Sequence, residues 1–363
     1  MSALAQKIEA SPMPSGPLDG PAAWRADEMR AREDWCRTLT DPEISELRAA
    51  ACAFERSGKR LATLTAEDFP LPRLASYLAG MQHQLLRGRG FALLRGLPVG
   101  EMTASERAIA YFGIGRHLGR PVSQNAMGHL LGHVIDLGRT NDDPTARTYQ
   151  TRDRQFFHSD STDIVGLLCI RKAKRGGLSA IVSSATVYNE MLKRSPELTE
   201  ALFEPQYFDR RGEVPQGSDP WYQMPIFNWY QGELSAHYVR RYIVSIRRDP
   251  AVPPLTDRQL AAFDLLDEVV EMDHVQLQMA FEPGDMQFLH NPQILHDRTA
   301  YEDWDTGEGR RHLLRLWLCA SEGRPLPPCY AGRWGSAEIG NRGGIVVPEA
   351  VMQVPIEPEA IQR

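Results

Sequence analysis

A mainly β protein with flanking helices, an α+β fold, is what this sequence predicts, and three observations predict it. Apolar residues recur at helical spacing between residues 22 and 88 and again over 257–272. Short runs rich in Ile, Val, Leu and Phe, broken by glycine, fill 148–182. Beyond residue 272, Val275, Leu277, Met279 and Phe281 fall at every second position, the signature of a strand. The chain of 363 residues is longer than a typical single domain, but large β-rich folds with insertions run that long undivided. No internal repeat, low-complexity tract or linker interrupts residues 22–350, so one domain over 22–363 is expected.

The first residues carry Pro12, Pro14, Gly16, Pro17, Gly20 and Pro21 with little apolar periodicity, which predicts a flexible arm over 1–21. Leu74, Leu78, Met81 and Leu85 mark a helical stripe ahead of the strand-like Gly90–Gly96, and Thr103–His117 reads as a further helix. Gly176-Gly177 breaks the strands of 148–182. Thr186 is an acceptable N-cap for Val187–Phe203, which Pro196 divides into two short helices. The clearest helix starts at Asp257, where Thr256 and Gln259 form a capping box between staple positions Leu255 and Leu260. Glu282-Pro283-Gly284-Asp285 then turns the strand of 275–281 into Met286–His290. The final strand, Arg311–Ala320, has a chemical consequence: period two places Arg311, Leu313, Arg315 and Trp317 on one face.

With 42% hydrophobic residues a sizeable core can form, while a net charge of -6 and a pI near 6.0 leave no electrostatic footprint for nucleic acid. No apolar run reaches the roughly 18 residues of a membrane span, and Met1–Gly16 lacks the basic start and hydrophobic stretch of a signal peptide. A cytoplasmic enzyme acting on a small molecule is expected, with a homo-oligomer left open. Cys36, Cys52, Cys169, Cys319 and Cys329 are odd in number and form no C-x-x-C pair, so they are expected to be buried, reduced thiols.

The chemistry centres on His158-Ser159-Asp160. Ten histidines and 47 acidic residues would produce about one H-x-D triplet by chance, and its bland reading is a capping carboxylate beside a packed histidine. Phe156 and Phe157 supply the context: an extended run would project His158 and Asp160 from one side of a strand end. Two imidazoles and a carboxylate can occupy one face of an octahedral iron(II) and leave the other face open. His296 is the candidate third ligand, with His290, His274 and His312 as competitors. A buried arginine needs an anion, and its planar fork matches a carboxylate bidentately, so Arg311 and Arg315 point to an anionic ligand, or else to Asp and Glu partners at a rim. Tyr149 and Gln150 are substrate candidates by proximity alone. The aromatic run Asp219–Tyr230, with Trp221 in it, is either core packing of an insertion or a substrate wall.

Glu282-Pro283-Gly284-Asp285, followed by Phe288-Leu289-His290-Asn291-Pro292-Gln293-Ile294-Leu295-His296-Asp297-Arg298-Thr299 and by Arg311-His312-Leu313-Leu314-Arg315-Leu316-Trp317, resembles the C-terminal signature of the taurine dioxygenase and clavaminate synthase-like family. These are iron(II)- and 2-oxoglutarate-dependent oxygenases, and the resemblance covers roughly residues 90–325. It implies a double-stranded β-helix, a jelly-roll barrel, with N-terminal helices and a helical insertion outside it. It implies His158, Asp160 and His296 as iron ligands, Arg311 assisted by Ser179 for the far carboxylate of 2-oxoglutarate, and Arg315 for its near end or for an anionic group of the substrate. Leu178, where the family usually carries an acidic residue, and His290, where aspartate is common, depart from the pattern without removing a ligand.

The expected reaction is oxidation of a C–H bond in a small organic molecule, hydroxylation first, with 2-oxoglutarate and O2 converted to succinate and CO2. Asp160 argues against halogenation, because halogenating members of this wider group lack that carboxylate. The rivals are a hydrolase using the same ligands on zinc, a non-enzymatic sugar-binding jelly roll, and an iron oxidase drawing all its electrons from substrate.

Overall fold

The computed structural model describes residues 8–139, 147–215, 217–304, 309–345 and 350–358. Its fold is mixed α+β. The larger sheet runs in the order Cys36–Thr38, Phe91–Arg95, Met286–His290, Ile164–Arg171, His312–Cys319 and Arg120–Pro121, with Leu131–Ile135 also paired to His312–Cys319. The smaller sheet orders Leu277–Met279, Ser179–Ser183, Ile294–Arg298 and Gln155–His158. Pairing is antiparallel in both, except for the edge strand Cys36–Thr38, which the helical spacing of that region did not reveal.

The alternation on His312–Cys319 organises the interior. Leu314, Leu316 and Leu318 join a buried cluster with the helices Asp41–Arg56, Ala75–Arg87 and Ala104–Leu118. Leu313, Trp317 and Cys319 face the other way, into a cluster shared with Ile181, Leu277 and Ile294 of the smaller sheet. A strand sealed on both faces reads as a near-continuous apolar run, and each fully buried leucine contributes about 1.5–3 kcal/mol relative to an exposed one. Arg315 of this strand and Arg311, the residue before the strand, therefore stand in a space bounded by both sheets.

A third cluster belongs to the insertion, where the helices Ser184–Arg194, Pro196–Ala201 and Asp257–Val270 pack with two hairpins, Pro205–Asp209 with Trp221–Pro225 and Phe227–Tyr230 with Glu233–Ala236. The capping box of Thr256 and Gln259 forms as expected. The first helix of the insertion begins earlier than Thr186: Ser183 is its N-cap and accepts the Thr186 N–H at 3.1 Å, because a residue leaving a strand is already extended, as a cap requires.

The arm expected to be flexible carries no helix or strand over residues 8–21, but it lies pinned against the insertion. Ser11 N–H donates to the Phe203 carbonyl at 2.9 Å, Leu18 N–H donates to Asn189 at 2.7 Å, and Met13 and Leu18 pack on the insertion cluster. Proline and glycine there exclude regular structure without excluding docking. Residues 1–7 lie outside the described chain. Among the described residues, no helix is long and apolar enough to cross a membrane, and all five cysteines are free, but only Cys169 and Cys319 are buried; Cys36 and Cys329 are half-buried and Cys52, on the outer face of its helix, is exposed.

Candidate active site

His158 closes its strand directly opposite His296, its cross-strand partner in Ile294–Arg298, and their ring centroids are 4.1 Å apart. Past Ser159 the chain curls back. Asp160 Oδ1 comes to 3.9 Å from His158 Nε2, and Oδ2 to 3.8 Å from His296 Nε2. The ligand atoms of all three lie within 4.8 Å of one another, and among the described residues no other group of His, Cys, Asp and Glu side chains converges this way. The competing histidines are engaged elsewhere: His290 with the Gln293 amide at 2.8 Å, His312 with His133 at 2.8 Å, and His274 with Glu190 at 3.5 Å.

Neighbouring groups aim these ligands. His158 Nδ1 lies 2.9 Å from the Phe156 carbonyl, which makes that nitrogen the N–H donor and leaves Nε2 with its lone pair. Gln155 Nε2 donates to this lone pair at 2.8 Å. Trp317 Nε1 donates to Asp160 Oδ2 at 2.9 Å and orients the carboxylate, while the Asp160 main-chain N–H donates to Asn291 Oδ1 at 2.9 Å and anchors the backbone. Burial pushes both imidazoles down, His296 to about 3 with His158 adding to the effect. Burial alone would raise Asp160, but Arg315, then the two histidines and the Trp317 bond, outweigh it and hold the carboxyl below its ordinary value. Neutral imidazoles and an ionised carboxylate are the protonation states a divalent metal requires.

A pocket of about 40 Å³ leads inward from the triad and is lined by Ser179, Arg298, Arg311 and Arg315 among others. Arg311 is 4% exposed, and its Nη1 is buried with no hydrogen-bond partner among the described residues. Gly177, at φ +68, lies against it where a side chain would collide. Ser179 Oγ donates to Gln287 Oε1 at 3.2 Å in the same pocket wall. A cavity of about 500 Å³ opens on the other side of the triad, walled by Tyr149, Tyr222, His237 and Trp317 and by several arginines. Arg315 lines both spaces. Its Nε donates to Gln124 Oε1 at 2.7 Å, its guanidinium lies 4.6 Å from the Tyr149 ring centroid and 5.0 Å from that of Trp317, and Nη1 is 3.9 Å from Asp160 Oδ2.

Residues 57–317 match the family described as taurine catabolism dioxygenase TauD, TfdA family. The chain belongs to this family. It is 32% identical over 323 residues to FR-33289 synthase of Streptomyces rubellomurinus (strain ATCC 31215), covering 88% of this chain and 95% of that protein. It is 27% identical over 267 residues to a uridine-5'-phosphate dioxygenase of Amycolatopsis sp, covering 68% of this chain and 94% of that one. Its fold is similar to that of the non-heme iron oxygenase OrfP, solved with Fe and alpha-ketoglutaric acid, at TM-score 0.58 and 16% identity over 78% of this chain and 93% of the other. As a TauD, TfdA family dioxygenase with a buried His-Asp-His triad, the chain is an oxidoreductase of the iron(II)- and 2-oxoglutarate-dependent type.

Among the residues singled out in the sequence, His158, Asp160, His296, Ser179, Arg311, Arg315 and Tyr149 converge on this dioxygenase site. Trp221 and Gln150 do not line either space. Alternation on Trp221–Pro225 sends Tyr222 to the cavity and leaves Trp221 packed edge-on to Tyr207 at 4.9 Å. Gln150 turns away to accept the Arg147 N–H at 3.2 Å, holding the turn before the metal motif. Sequence reasoning missed Gln155, Gln124, Gln287 and Arg298. Only Arg298 left a signal, since it follows His296 by two residues on a strand and so shares its face.

Proposed function

We propose that this dioxygenase hydroxylates a C–H bond in a small organic anion. His158, Asp160 and His296 would hold the metal, Arg311 with Ser179 would receive the C5 carboxylate of 2-oxoglutarate, and Arg315 would receive the anionic group of the substrate. The observation that carries the reading is the position of Arg315. Its guanidinium is clamped by Gln124, Tyr149 and Trp317 at the junction of the inner pocket and the 500 Å³ cavity, beside the metal carboxylate. The uridine-5'-phosphate dioxygenase, named for a phosphorylated substrate, supports the anionic class.

Bound iron(II) and 2-oxoglutarate supply the oxidation: 2-oxoglutarate loses CO2 and takes one oxygen atom of O2 as succinate, and the other enters the C–H bond as a hydroxyl. The residues of the chain do the positioning. The orphaned Arg311 Nη1 fits a carboxylate, because an unpaired buried guanidinium donor is costly and a charge-assisted bond removes that cost. Trp317 keeps the Asp160 carboxylate turned toward the histidines while Asn291 anchors the Asp160 backbone, and the aromatic walls shield the reacting centre from water. We also read residues 22–363 as one cytoplasmic domain, with the two sheets as the halves of a double-stranded β-helix.

A panel of small phosphates, phosphonates, sulfonates and carboxylates, assayed for stimulated release of succinate, tests the substrate class. Stimulation by an anion, lost in Arg315→Gln while the slow unstimulated turnover of 2-oxoglutarate persists, is the expected result. Equal loss of both rates would assign Arg315 to the near carboxylate of 2-oxoglutarate instead.

A further inference from the structure

We infer that Arg298 is a second cation of the 2-oxoglutarate pocket, acting with Arg311 on the carboxylate far from the metal; the inference rests on the co-substrate reading above. Arg298 follows His296 by two residues in its strand and pairs across the smaller sheet with Ser179, so its side chain starts on the face that carries the site. It lines the inner pocket together with Arg311. The two guanidinium carbons lie 4.8 and 5.1 Å from the centroid of the same Tyr301 ring, which holds the two like charges near each other.

Among the described residues neither guanidinium forms an ion pair, although Asp303 and Tyr301 lie near enough to act on Arg311, and Asp297 and Asp153 on Arg298. Arg298 donates from Nη1 to the Thr151 carbonyl at 3.1 Å and from Nη2 to the Asp153 carbonyl, which fixes its plane without supplying a counter-charge. Asp303 takes the backbone N–H of Arg311, at 2.7 Å. Arg298 Nε and Arg311 Nη1 are both buried with no acceptor among the described residues. Adjacent buried cations, each with an orphaned donor, call for an anion with more than one acceptor site. A carboxylate has two oxygens, and can take a charge-assisted bond from each arginine at once. The competing explanation makes Arg298 a brace for the turn at Thr151–Asp153, and it predicts no selectivity for the far end of the ligand.

Two keto acids separate the explanations: 2-oxoglutarate and 2-oxopentanoate, which carries a methyl group in place of the C5 carboxylate. Both are titrated by calorimetry into the zinc(II)-loaded wild-type chain and into Arg298→Gln, a readout independent of turnover. Arg298→Gln is expected to lose about tenfold or more of the preference for 2-oxoglutarate and to bind 2-oxopentanoate as the wild type does. An unchanged preference, or equal weakening of both ligands, overturns the role of Arg298. A wild-type chain that binds neither keto acid overturns the co-substrate reading and this inference with it. Should the glutamine variant not fold, Arg298→Lys replaces it: a lysine cannot hold both carbonyls and also donate from the Nε position, so its preference falls, and wild-type preference in that variant overturns the assignment.

Discussion

Gly177 and Arg311 are in direct contact: a β-carbon built on Gly177 would stand 2.9 Å from Arg311 Nε and 3.2 Å from its Cδ. The Gly-Gly pair that the sequence shows as a turn is therefore also the seat of the pocket's deepest guanidinium. Gly177→Ala adds a methyl group where there is no room, at a backbone angle of φ +68 that side chains rarely adopt. The expected outcome is a rise of about tenfold in the apparent KM for 2-oxoglutarate with iron content unchanged, together with a stability loss of about 1 kcal/mol or more. Steady-state kinetics and metal analysis of the purified variant check it, and an unaltered KM would show that Arg311 has no need of this cradle.

Removing the guanidinium outright is the stronger perturbation. Leaving a buried carboxylate without its charged partner costs about 2–5 kcal/mol, so Arg311→Ala is expected to raise the apparent KM for 2-oxoglutarate by roughly 30-fold or more. Iron affinity should survive, because Arg311 is absent from the metal triad. Parallel loss of iron would place the fault in folding and not in co-substrate binding.

His158→Ala and His296→Ala are each expected to lose stoichiometric iron, whereas His290→Ala should retain it. His290 is fully buried and bonded to Gln293, so its removal should lower the melting temperature through an emptied core site. Metal content after anaerobic reconstitution distinguishes the three variants. Iron retained by His296→Ala but lost by His290→Ala would move the distal ligand.

Stability should fall with acid across a defined window. Burial holds His237 and His312 down at about 3, with Arg333 adding to the effect at His237 and His133 at His312. Both stay neutral in the fold, while the unfolded chain takes up protons below about 6.5. Their contribution is thus complete above pH 6.5 and is lost progressively as pH falls from there toward 3. Melting temperatures of the metal-free chain should drop between pH 7 and pH 5, with a shallower slope in His312→Gln. A flat profile would mean that these histidines are already protonated in the fold.

The triad was legible because covalent spacing carries it: His158 and Asp160 are two residues apart at a strand end, and His296 sits in a run with a recognisable neighbourhood. Arg311 and Arg315 were legible through period two, although the strand itself starts one residue later, at His312. What the sequence concealed depends on pairing between distant segments. Gln287 reaches Ser179, Gln124 reaches Arg315 across 191 positions, and Trp317 caps Asp160 across 157. No local pattern encodes such partners. Trp221 shows a further limit, since alternation states that two faces exist but not which one meets the cavity, and Tyr222 took that place. Ser183 displaced Thr186 as N-cap for a related reason, the strand before it having settled where the helix could start.

Succinate formation in air reads out whether this triad and Arg311 couple 2-oxoglutarate to O2. The wild-type chain with iron(II) and 2-oxoglutarate is predicted to form succinate and CO2 in equal amounts as O2 is consumed. Asp160→Ala, or replacement of iron by zinc, should abolish it. Iron-dependent O2 consumption that needs no 2-oxoglutarate, or a zinc-loaded chain that hydrolyses its substrate while the iron form yields no succinate, would show that the triad and Arg311 serve another reaction.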